Sequence, residues 1–178
     1  LRKKLFVSAA SLMIIIAGLL FMYFKMYDVE NNKLAILKRL ETILGRQNLT
    51  LIDMVRLDET SSYIVLFTLQ NGDIGYAQMV EGLNNKLKCK RAGYGTNKFS
   101  YQKIETNGGE YGIIVGKNLD LKVDRVTVSF LEGDHTFTFH INNKQYFVVY
   151  KKLPNKLQRA YPVKLTFYDK NNNVIASD

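Results

Sequence analysis

The run from Leu5 to Phe24 constrains this chain more than any other feature. It is 20 residues without a charge, interrupted only by Ser8, Ser11 and Gly18. At ~1.5 Å per residue a helix of that length measures roughly 30 Å, the depth of a bilayer's hydrocarbon core. A helix satisfies its own backbone groups in lipid, and Met13 to Ala17 is apolar on every face. Phe21, Tyr23, Phe24 and Tyr27 beside Lys25 suit an interface, while Arg2, Lys3 and Lys4 suit a cytoplasmic flank. The expectation is a signal anchor over residues 1–25, a single-pass cell-membrane topology with the N-terminus cytoplasmic, and residues 26–178 extracytoplasmic. A cleaved signal peptide is the competing reading. Its apolar region is shorter and is followed by small residues, where this chain has Leu-Leu-Phe-Met-Tyr-Phe at 19–24.

The formal charge of +9 needs dividing. Four basic residues flank the apolar run, leaving 21 basic against 16 acidic residues beyond it. That scattered excess suits a surface near anionic lipids or wall polymers and does not point to nucleic acid. A single Cys excludes an intrachain disulfide, and two His leave little for a transition-metal site. No cofactor is implied.

Past the run, Leu34, Leu37, Leu40 and Leu44 recur at helical spacing, predicting a helix over 31–46 with Gly45 as its C-cap. From residue 49 the pattern turns to strands. Tyr63–Leu69 is apolar on both parities, and Asn71-Gly72 signals a hairpin into Ile74–Val80. A strand near Leu83–Ala92 alternates, with Lys86, Lys88 and Lys90 on one side and Leu87 and Cys89 on the other. Phe99–Thr106 and Tyr111–Lys117 form a hairpin about Asn107-Gly108-Gly109. Asn118–Leu121 reads as a seam. Beyond it come Val123–Leu131, a turn at Glu132-Gly133-Asp134, His135–Ile141, a turn at Asn142-Asn143, Gln145–Lys151, a basic loop, a strand opened by Pro162, and Val174–Ala176. The expected fold class is an N-terminal transmembrane helix followed by α+β, a helix packed on an antiparallel sheet, then a small all-β sandwich-like module. The corresponding domains are 1–25, 26–119 and 120–178.

Catalytic motifs are not expected. Cys89 shares its strand face with Leu87, which suits a buried thiol, and His135 and His140 fall on opposite sides of one strand. Both His follow the Cys, against the order sortases need, and no H-E-x-x-H, G-x-S-x-G or phosphate-cradling Gly loop occurs. One constellation remains for binding: Lys86, Lys88, Lys90, Arg91 and Lys98, which could hold a polyanion such as an anionic lipid or teichoic acid. Lys151, Lys152, Lys156 and Arg159 could extend it. A solvated strand face is the plainer explanation of the same lysines.

Lys outnumbers Arg 18 to 7. Together with the stretch from Gly75-Tyr76-Ala77 through Gly116-Lys117-Asn118, the layout resembles the small membrane-anchored extracytoplasmic proteins of Bacillus-type, low-GC Gram-positive bacteria. That resemblance implies an envelope location and supplies no functional residues. The expected function is a non-enzymatic protein-interaction module at the cell envelope, with the membrane and another envelope protein as partners. The alternative is an envelope polyanion-binding module; an enzyme using Cys89 is the remotest reading.

Overall fold

The computed structural model describes residues 2–130, 135–141, 143–154 and 163–177, with side chains from residue 11 onward. The expected turns at 132–134 and at Asn142, Lys156 and Arg159 of the basic loop, and Pro162 lie outside the described residues.

Helix α1 covers Arg2–Met26 and α2 covers Lys33–Leu44. Asn32 caps α2, its side chain accepting from Ala35 N at 2.9 Å, and Gly45 ends it in the left-handed region at φ 61°. Eleven strands follow among the described residues: β1 Thr50–Arg56, β2 Ser62–Thr68, β3 Ile74–Glu81, β4 Leu87–Gly95, β5 Phe99–Thr106, β6 Gly109–Lys117, β7 Arg125–Phe130, β8 Thr136–His140, β9 Tyr146–Lys152, β10 Val163–Tyr168 and β11 Val174–Ser177. They pair antiparallel in three sheets: A in the order β1-β2-β3-β4, B in the order β5-β6-β9, and C in the order β11-β10-β7-β8.

Alternation along the strands stacks these sheets into layers. Val65, Phe67, Ala77, Met79 and Leu87 of sheet A pack on Ile36 and Leu40 of α2. The opposite face of sheet A, through Ile64, Leu66 and Ile74, packs on Ile104, Ile113 and Val115 of sheet B. Sheet B turns its other face, with Tyr101, Ile114 and Phe147, onto Val126, Val128, Phe130, Leu165 and Phe167 of sheet C. Sheet B is therefore covered on both sides, and β6 is buried along most of its length. Gly116 permits this closeness: a Cβ there would stand 2.4 Å from the Phe147 ring and 2.7 Å from Phe99.

The expected fold class is corrected on two points. Among the described residues, no helix is long and apolar enough to cross a membrane. The chain is mostly β rather than a spanning helix followed by α+β. Second, the expected sandwich-like module is not self-contained. Sheet C has one apolar face, closed by sheet B, while Thr127, Ser129, Thr136 and Thr138 form its hydroxyl-bearing outer face. Strand β9 leaves that half of the chain and pairs with β6 from Tyr111↔Lys152 to Lys117↔Tyr146, across the boundary expected at residue 120.

Two strands differ in detail from the sequence pattern. β1 is not marked by alternation because its register shifts between Leu51 and Asp53, inserting Ile52. β4 starts later than expected, since Gly82–Lys86 is a turn held by Gly82 N donating to Lys86 O and by Asn85 at φ 57°.

Candidate functional site

The foot of α1 is tied to the β3–β4 turn. Tyr23 Oη accepts from Leu83 N at 2.8 Å, and Asn84 Nδ2 donates to the Tyr27 carbonyl at 3.0 Å. Val29 exchanges both backbone bonds with Leu87, adding a bridge to the free edge of β4. Arg39 of α2 pairs with Asp28 at 2.9 Å. Above this clamp, Leu12, Met13, Ile14, Ile15, Leu19, Phe21 and Met22 are each 59–72% exposed, on every face of the helix.

Beside the clamp lies a cavity of about 470 Å3, walled by Tyr27, Ser61, Ser62, Lys88, Lys90 and Asn107 among others. It stands where the β4 edge of sheet A meets the end of β5. A bulge at Lys90 shapes it, because the β3–β4 register jumps from Met79↔Cys89 to Gln78↔Arg91. Lys90 and Arg91 then both reach sheet B: Lys90 Nζ donates to Glu105 O at 3.2 Å and Arg91 Nη1 to Lys103 O at 3.3 Å. Lys88 Nζ sits 3.7 Å from Met26 Sδ and 5.9 Å from the centre of the Tyr27 ring. Gln78, fully buried between the sheets, donates to Glu105 O at 2.9 Å and to Ser62 Oγ at 3.3 Å.

The five basic residues singled out by sequence are thus divided. Lys88 and Lys90 share the cavity wall. Lys86 belongs to the turn and is neutralised by Glu30 at 2.7 Å. Arg91 ties β4 to β5. Lys98 lines a separate cleft of about 330 Å3 between sheets B and C, together with Phe99, Lys117, Lys122 and Phe167. In that cleft Lys117 Nζ donates to Gly72 O at 3.0 Å and Lys122 lies 3.6 Å from Asp120. Sequence reasoning missed Tyr27, Ser62 and Asn107. Asn107 looked like a turn residue alone, and nothing in the order of the chain brings it to Ser61.

Cys89 packs with the α2-facing cluster of sheet A. Burial pushes its thiol pKa up, partly offset by the Arg39 charge, so the nucleophilic thiolate is disfavoured. His140 lies on the outer face of sheet C and His135 just before β8, both exposed, so sheet B stands between them and Cys89. Among the described residues, no group of three His, Cys, Asp or Glu side chains is placed to hold a metal ion.

No protein-family model, curated protein or solved structure matches the chain, which leaves the resemblance to Bacillus-type proteins without support from relatives.

Proposed function

We propose that this chain is a non-enzymatic protein-interaction module of the cell envelope, seated at a lipid surface through α1. The exposure of α1 carries the reading: large apolar side chains cover every face of a helix whose foot is bound to the folded body. Burying one such side chain contributes about 1.5–3 kcal/mol, so a helix of this kind left in water would drive association. A lipid surface takes up large apolar side chains without the shape match that a groove on another protein requires. For the protein partner, the outer edge of β11 has no neighbouring strand among the described residues, and Val174 and Ile175 are exposed beside it.

The full chain should float with neutral phosphatidylcholine vesicles, and Ile15→Asp with Leu19→Asp should reduce this sharply. A photo-crosslinker at Ile175 in intact cells should capture an envelope protein. Hydrolysis of peptidoglycan or peptides by the purified chain, abolished by Cys89→Ala, would overturn the non-enzymatic reading.

A second reading, polyanion binding through the lysine-rich strand, is favoured by one observation. Among the described ion pairs none engages Lys88 or Lys90, so both charges are uncompensated by a carboxylate. Such binding must weaken as salt rises, and salt-insensitive attachment to anionic vesicles would remove it.

A further inference from the structure

We propose that Lys88, Lys90, Ser62 and Asn107 form a pocket for one phosphate-ester group at the foot of α1. The inference rests on the second reading above and narrows it from a charged strand to a single cavity.

Two cations and two neutral donors meet on its wall. Lys90 spends one of its three protons on the Glu105 carbonyl, leaving two. Lys88 rests against Met26 and the Tyr27 ring, neither of which cancels its charge. Ser62 is 1% exposed, and its Oγ accepts from Gln78, which leaves the hydroxyl proton to donate. Asn107 Oδ1 accepts from Ser61 N at 3.0 Å and Ser61 Oγ at 3.2 Å, fixing the amide, while its Nδ2 has no acceptor among the described residues. The acid on the wall is Glu105. Alternation along β5 sends its side chain to the side of Tyr101 and Lys103, away from Ile104 and sheet A, and its carbonyl is already occupied.

Several charge-bearing oxygens on one atom are what such a donor set satisfies. A carboxylate presents its two oxygens in one plane, whereas a phosphate ester presents several oxygens in a tetrahedral array that donors on different sides of a cavity can reach together. The volume of about 470 Å3 leaves room for the ester's organic part. Tyr27 in the wall places the pocket beside the end of α1, so the phosphate could come from a lipid headgroup or from a soluble ester.

The test uses the full chain in a nonionic detergent, with the amide NMR signals of Ser62 and Asn107 as the readout. It is titrated separately with glycerol phosphate and with phosphatidylglycerol in the same micelles. Saturable shifts with either probe are expected: response to the lipid alone identifies a headgroup site, and response to glycerol phosphate identifies a site for soluble esters. Lys88→Gln with Lys90→Gln should weaken binding by roughly tenfold or more, and Ser62→Ala with Asn107→Ala by about tenfold, with the amide spectrum reporting that each variant is folded. Lys98→Gln with Lys122→Gln should leave binding unchanged. Absence of saturation with both probes overturns the pocket. Equal weakening by the Lys98/Lys122 and Lys88/Lys90 variants also overturns it, while leaving the broader polyanion reading in place.

Discussion

Sheet B is a wall between two unlike rooms. Toward sheet C it meets phenylalanines: the rings of Phe99 and Phe167 stack 3.9 Å apart, and Phe130 and Phe137 meet edge-on at 5.6 Å. Toward sheet A the aliphatic centre is bordered by Tyr76, Tyr111, Tyr146 and Tyr150, and polar Gln78 and Ser62 are buried. One interface is built mostly of phenylalanine rings, with Tyr101 meeting Phe130 edge-on at 6.1 Å. The other leads from packed Ile, Leu and Val to hydroxyls, amides and the Lys88–Lys90 cavity. Buried donors persist in a layered β protein where partners hold them in place, and the aromatic seam on the other side of the same sheet supplies the rigidity.

Substitutions can break this contrast, and the largest effect belongs to the Phe-rich seam. Phe147→Ala, at a site 1% exposed, should cost about 3–5 kcal/mol in denaturant unfolding. Gly116→Ala should cost about 1–3 kcal/mol, because the added methyl meets Phe147 and Phe99 and both neighbouring strands restrain them. On the hydroxyl-bearing side, Tyr111→Phe should cost only about 1 kcal/mol, since it removes one bond, Tyr111 Oη donating to Asp58 Oδ2 at 2.8 Å, without opening a cavity.

The same residue sharpens the contrast through pH. Burial first, and then the Asp58 carboxylate, push the Tyr111 phenol up to about 12. The native state thus keeps a proton that the unfolded chain releases near pH ~10. The stability this contributes is whole below pH ~10 and drains as pH rises through about 12. The gap between the native chain and Tyr111→Phe should narrow over that window, whereas Phe147→Ala should stay parallel to the native curve. Smallest of all, Arg39→Ala should cost under about 1 kcal/mol, because the Arg39–Asp28 pair is part exposed and screened by salt.

Legibility from sequence follows how local each cause is. Helix α2 with its Gly45 cap, the Asn71-Gly72 hairpin and the β5–β6 hairpin depend on neighbouring residues, and they fall close to where periodicity and turn chemistry place them. β1 escaped notice because Ile52 breaks its alternation, and β4 shifted because Asn84 and Asn85 build a turn inside an apparently regular strand. The same limit applies to the site. Lys88 and Lys90 announce themselves by spacing and charge, but Ser62 and Asn107 are ordinary polar residues until two sheets meet.

The N-terminal helix, the strand-rich remainder and the pair of lysines were legible from residue order, since hydrophobic periodicity and charge are written residue by residue. Tertiary structure alone decided that β9 crosses to pair with β6, that sheet B is buried on both faces, and that Tyr27, Ser62, Lys88 and Asn107 share one cavity. Pairing partners are chosen by which apolar faces must be covered at once, and that choice belongs to the whole chain rather than to any segment of it.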